Sequence, residues 1–184
     1  QGSQAIGMGK ELADAFPAAK AVFDEVDAAL GEKLSALIWG GSIEELTLTA
    51  NAQPALMAVS LAAWRALEAG FGVKISPAAF VAGHSLGEYS ALAAAGALSV
   101  TDAARLLRKR GQAMQAAAPA GTGAMAALIG KVDVEAAEII ALEAGGAGTV
   151  VVANDNNVGN VVISGSKAGV EAAIAVAKAK GFKA

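Results

Sequence analysis

The five residues Gly83-His84-Ser85-Leu86-Gly87 constrain the fold of this chain more than any other stretch. They stand between a short apolar run, Phe80-Val81-Ala82, and an Ala/Leu-rich run from Ser90 to Leu98. A G-x-S-x-G sequence in that setting predicts a strand, a sharp turn and a helix, with the serine at the apex of the turn. Glycine is expected two residues before and two after the serine because side chains there would collide. The serine is pushed into a strained backbone region at the edge of a sheet, with the N-terminus of the next helix beneath it. Backbone N–H groups at such a corner can hold the negative oxygen of a tetrahedral acyl intermediate, so the motif points to acyl-group chemistry. The competing reading is an ordinary strand-to-helix turn whose serine only caps the helix.

Composition narrows the setting. At 184 residues the chain suffices for one substantial domain, or a core with a smaller appendage. It is 55% hydrophobic but only 4% aromatic, so its core must be built from Ala, Val, Leu and Ile, packed closely as helices against a sheet. Arg65 and Glu68, then Glu88 and Ser90, interrupt the apolar runs before they reach membrane-spanning length, which predicts a soluble protein. The absence of cysteine excludes disulfides and thiolate metal sites, and a single histidine argues against a histidine metal site. A net charge of −3 argues against nucleic acid as the partner. No targeting segment is visible and the cytoplasm is the expected compartment. The chain begins at Gln1 rather than methionine, and the expectation is that the true N-terminus lies upstream.

Periodicity supplies the elements around the motif. Pro17 suits a first helical turn, and Val22, Phe23, Val26 and Leu30 recur at helical spacing until Gly31. Ser42-Ile43-Glu44-Glu45 fits a capping box. Asn51 is the expected cap of the next helix, with Pro54 in its first turn and Leu56, Val59, Ala63 and Leu67 on one apolar face. A helix from Ser99 or Thr101 should reach about residue 118, where Pro119, Gly121 and Gly123 break the chain. From there a strand (124–129), a helix (134–142), two strands (149–153 and 160–164) and a helix (166–180) follow, a βαββα order one strand short of a ferredoxin-like βαββαβ unit.

Taken with Gln1-Gly2-Ser3-Gln4, Gln53-Pro54-Ala55-Leu56, Glu88-Tyr89-Ser90-Ala91, Arg110-Gly111 and Gly121-Thr122-Gly123-Ala124-Met125, the serine motif resembles the malonyl-CoA:acyl-carrier-protein transacylase family, related to the acyltransferase domains of polyketide and animal fatty acid synthases. The resemblance runs end to end. It implies an α/β fold: an α/β-hydrolase-like core, incomplete in this chain, over residues 1–118, and an inserted ferredoxin-like small subdomain lacking its last strand over 119–184. It implies malonyl transfer from coenzyme A to the phosphopantetheine thiol of acyl carrier protein, in fatty acid biosynthesis, without metal, cofactor, nucleic acid or membrane.

The family's roles fall on particular positions. Ser85 is implied as the nucleophile, and the backbone N–H groups of Leu86 and Gln1 as oxyanion donors. Arg110 is implied as the grip on the free malonyl carboxylate, a role suited to a planar guanidinium that can give two parallel charge-assisted hydrogen bonds. Spacing alone does not choose among Arg105, Arg108 and Arg110, which also read as a solvated helix face; the family's Arg-Gly pattern selects Arg110. Met114, one turn on, is expected to line the same pocket, although it reads equally as core filler. Leu86 is the aliphatic residue that accompanies malonyl preference in related domains, and Asn156 is expected to face the pocket.

Two departures stand out. The family's catalytic histidine has no counterpart after His84, and His84 is a poor substitute because neighbours at a sharp turn project in different directions. The expectation is a piece of a longer transacylase whose base follows Ala184. In Asn156-Asn157-Val158-Gly159-Asn160 the family's proline before the glycine and glutamine after it are replaced. The alternatives are a serine esterase or lipase-like hydrolase, which gives Arg110 no purpose, and a carrier-protein-binding fragment without catalysis. Lys178, Lys180, Lys183, Arg105 and Lys109 are candidate contacts for an acidic carrier, or simply solvated charges.

Overall fold

Alanine, leucine and straight-chain polar residues recur through the first 117 positions with few breaks, and helices result. The structure, a computed structural model, describes residues 2–119 and 121–184, and it divides into two compact units, 1–117 and 118–184. The first contains α1 (Lys10–Ala15), α2 (Pro17–Leu30), α3 (Leu34–Gly40), α4 (Ile43–Thr47), α5 (Thr49–Phe71), α6 (Gly87–Ala94) and α7 (Val100–Ala117). Local signals set several boundaries. Pro17 opens α2 and a left-handed Gly31 closes it. Ser42 Oγ accepts the Glu45 N–H at 3.1 Å to open α4, and Ser99 Oγ accepts the Asp102 N–H at 2.9 Å to open α7.

Helices α2, α5 and α7 pack on one another around Phe23, Val26, Ile38, Met57, Leu61 and Leu107. The buried side of α5 is not the expected one. Ala55, Met57, Ala58, Leu61, Ala62 and Ala66 are buried, while Leu67 is exposed. Several helices, α2, α6 and α7 among them, contact α5, and its alanines let their backbones come close on more than one side. The most apolar stripe is therefore not the one that matters.

The start of α5 also differs from expectation. It begins at Thr49 rather than after Asn51, so Pro54 lies beyond the first turn. Proline has no N–H, and the carbonyl of Ala50 thereby loses its partner four residues on. Arg108 of α7 fills the gap, donating Nη1 to Ala50 O at 2.8 Å. Gly111 permits this approach: a Cβ there would lie 2.6 Å from both Ala50 Cα and Thr49 O. Gly111→Ala should force the two helices apart and cost about 1–3 kcal/mol. Urea unfolding would register this as a lowered midpoint, and an unchanged midpoint would refute the packing argument.

The predicted strand at Phe80–Ala82 is absent. The segment is irregular and Phe80 is almost wholly exposed, because a strand needs a ladder partner and no described residue pairs with it.

The second unit contains β1 (Gly123–Ile129), α8 (Val134–Ala144), β2 (Val150–Asn157), β3 (Asn160–Ser166) and α9 (Lys167–Ala179), in the predicted element order. Its sheet is antiparallel, ordered β1-β3-β2, with Ile163 opposite both Ala126 and Val152. Leu128, Ile140, Val161, Ile163 and Ala173 form its core under α8 and α9. Asp133 caps α8 and Ser166 caps α9. Near the end of the chain Lys183 returns to β1, exchanging backbone hydrogen bonds with Ile129 at 2.8 and 3.1 Å.

Candidate active site

Ser85 is the one non-glycine residue among those described with a positive φ, 55°. L-residues enter this left-handed region at a cost, so the surrounding turn must hold it there. The Gly87 N–H donates to His84 O at 2.9 Å, Glu88 N–H to Ser85 O at 3.3 Å and Tyr89 N–H to Leu86 O at 3.1 Å. The chain thus passes from the serine directly into α6. A Cβ on Gly83 would sit 1.9 Å from Gly87 O and 2.4 Å from Glu88 N, which makes glycine obligatory there. Gly87 is different. A Cβ on it would meet nothing within 4 Å, so the expected collision applies only to the glycine that faces the turn's own backbone. Leu86 is buried in the helical core and anchors the turn from below, leaving Ser85 exposed.

Arg110 reaches this serine from α7. Its Nη2 donates to Ser85 Oγ at 3.1 Å, and its Nη1 donates to Gln53 Oε1. Gln53 is fully buried in α5, and its Nε2 donates to Thr49 Oγ1 at 2.8 Å and to Met114 Sδ at 3.3 Å. Arg110 and Met114 are thereby joined through a carboxamide, and Ser85 through Arg110, although sequence spacing alone assigns Gln53 no task. A signal existed: Gln53 is the polar member of the otherwise apolar run Ala52–Ala55, and a buried polar group needs partners.

The other two arginines are committed elsewhere. Arg105 Nε donates to Ala29 O at 3.1 Å, while Arg108 binds Ala50 O, Asn51 Oδ1 and the Glu32 carboxylate. Of the three arginines that spacing left open, Arg110 is the one bonded to the serine. Asn156 belongs to the second unit, where its Nδ2 donates to Asn160 Oδ1 at 3.3 Å. There it lines a cavity of about 620 Å³ with Val132, Asp133 and Glu135. Gln1 lies outside the described residues. Chemically, the first unit presents an exposed hydroxyl on a strained corner, a helix N-terminus below it and a fixed cation beside it.

That constellation belongs with acyl transfer, and the comparisons agree: the acyl transferase domain model matches residues 1–184, and the chain belongs to that family. The malonyl CoA-acyl carrier protein transacylase of Bacillus subtilis (strain 168) is 54% identical over 184 residues, covering all of this chain and 56% of that protein. The crystal structure of acyl-carrier-protein-S-malonyltransferase from Bartonella henselae is 57% identical with a TM-score of 0.90, covering all of this chain and 58% of its own. A type II PKS acyl-carrier protein in complex with its malonyl-transacylase matches at 44% identity and a TM-score of 0.87, again over all of this chain and 58% of that one. The chain therefore spans a little over half the length of the relatives it matches.

Proposed function

We propose that the protein transfers a malonyl group from malonyl-CoA to the phosphopantetheine thiol of acyl carrier protein, in fatty acid biosynthesis in the cytoplasm. The observation that carries the reading is the 3.1 Å contact between Arg110 Nη2 and the hydroxyl of a left-handed Ser85. Ser85 Oγ attacks the thioester carbonyl, the C–S bond breaks, and coenzyme A leaves as its thiol while the serine oxygen becomes an ester. The carrier's thiol then attacks that ester and returns the proton to Ser85. The N–H of Leu86 receives the oxyanion, and a helix N-terminus at the same corner favours that charge. Arg110 holds the free carboxylate, with Met114 lining the acyl pocket. His84 is assigned no step. The protein needs no metal or prosthetic group for this chemistry.

Residues 1–118 are proposed as part of an α/β-hydrolase-like core and 119–184 as a ferredoxin-like subdomain. The strand order β1-β3-β2, with Lys183 bridging to β1 where a fourth strand would pair, supports the second assignment. Acyl carrier protein as partner is supported by the related malonyl-transacylase held in complex with its carrier.

The test mixes the full-length protein with malonyl-CoA and phosphopantetheinylated acyl carrier protein. One malonyl-carrier should form for each coenzyme A thiol released. Free malonate in place of malonyl-carrier would make the protein a hydrolase, and carrier binding without transfer would make it a docking module; either result defeats the proposal.

A further inference from the structure

Gln53 has a role that the transfer chemistry by itself does not demand. It is a fully buried carboxamide in α5, and its three polar contacts leave no freedom of orientation. Its Nε2 carries two hydrogens, one given to Thr49 Oγ1 at 2.8 Å and one to Met114 Sδ at 3.3 Å. Its Oε1 is left as an acceptor, and Arg110 Nη1 donates to it. Turning the amide over would set its N–H groups against the guanidinium, donor facing donor, so the two lower contacts fix which atom Arg110 meets. Two backbone features hold the pair in place. Gly111, next to Arg110, lets α7 touch the backbone of α5 at Thr49 and Ala50, and Arg108 ties the same turn by its bond to Ala50 O.

The identity of the acceptor matters as much as its position. A carboxylate in the same place would bond Arg110 more strongly, but it would neutralise the cation and compete with any anionic ligand. A carboxamide fixes one side of the guanidinium without cancelling its charge. The other side, Nη2, already points at Ser85 Oγ. We infer that Gln53 is a positioning residue for acyl-group selection: a buried neutral clamp that aims Arg110 at the nucleophile while leaving its positive charge available to a carboxylate on the acyl chain. This rests on the reading of Arg110 as the carboxylate grip.

The test compares full-length wild type, Gln53→Glu, Gln53→Met, Arg110→Ala and the Gln53→Glu/Arg110→Ala double variant. Each is assayed for acyl transfer from malonyl-CoA and from acetyl-CoA, with thermal midpoints taken in parallel. Gln53→Glu keeps the shape and the acceptor atom but loses the two Nε2 hydrogens given to Thr49 and Met114, so its midpoint should fall modestly while the protein still folds. Its malonyl-to-acetyl ratio of kcat/KM should nevertheless fall by about tenfold or more, mainly through KM for malonyl-CoA. Gln53→Met removes the acceptor and should lower the same ratio. In the Arg110→Ala background, Gln53→Glu should shift the ratio no further, because the clamp then has nothing to aim.

A Gln53→Glu protein that folds normally and keeps the wild-type ratio would overturn the inference. So would Gln53 variants that depress both substrates equally, or that still shift the ratio without Arg110. If Arg110→Ala alone leaves the ratio at its wild-type value, the carboxylate grip itself falls, and that arm separates the two failures. Should Gln53→Met misfold, Gln53→Glu decides alone.

Discussion

Ser85→Ala in the full-length protein should abolish the covalent malonyl adduct and lower transfer by about four to six orders of magnitude, the range seen when a nucleophile is deleted from a preorganised acyl-transfer site. Intact mass after incubation with malonyl-CoA reads the adduct directly: wild type should gain one malonyl group on the peptide containing Ser85, and the variant none. The fold should not confound the result. Ser85 is exposed, alanine carries the same Cβ at φ 55°, and the turn is held by backbone bonds from Gly87, Glu88 and Tyr89 that the substitution does not touch. The thermal midpoint should therefore move little. The Arg110 contact at 3.1 Å is lost, which leaves a cation that Gln53 still holds. An adduct that survives the substitution would place the nucleophile elsewhere and remove the chemical basis of the site.

A feature of this chain is legible in its sequence when it is local and hidden when it is tertiary. The serine corner is local. Gly83, Ser85 and the helix that follows lie within a dozen residues, and backbone sterics alone force the geometry. The caps Ser42, Ser99 and Ser166 are local as well, each satisfying a backbone N–H in the first turn of its helix. The failures share a different cause. Phe80–Ala82 has a strand's composition, but a strand exists only with a hydrogen-bonded neighbour, and none of the described residues supplies one. On α5, hydrophobicity marked Leu56 and Leu67, whereas burial follows the alanines that other helices approach. Pro54 reads as a first-turn proline because its actual compensation, the bond to Ala50 O, comes from Arg108, 58 positions beyond Ala50. Gln53 shows in the sequence only as a polar residue in an apolar run, because the partners that give it a task, Arg110 and Met114, lie on another helix.

Arg110→Ala should collapse transfer of malonyl while sparing or improving transfer of uncharged acyl groups. A guanidinium bonded to a carboxylate contributes about 3 kcal/mol beyond what water offers the same ion, equivalent to about two orders of magnitude in kcat/KM for malonyl-CoA. An acetyl group has no carboxylate to lose, and removing the bulk and charge beside Ser85 relaxes the space available to longer uncharged chains. The direction of the change thus separates a carboxylate-selective transferase from an esterase, for which Arg110 has no substrate to hold. Alanine also strips Gln53 Oε1 of its donor, and an unsatisfied buried acceptor costs about 1–3 kcal/mol of stability. Arg110→Lys controls for that loss. An ammonium keeps the charge but is a compact point donor, and it cannot reproduce the forked geometry that reaches Gln53 and Ser85 together. It should retain part of the malonyl preference and fall between wild type and alanine. Equal losses on malonyl and acetyl in both variants would mean that Arg110 supports the corner structurally. The assignment of malonyl as the transferred group would then lose its physical basis, even with Ser85 intact as nucleophile.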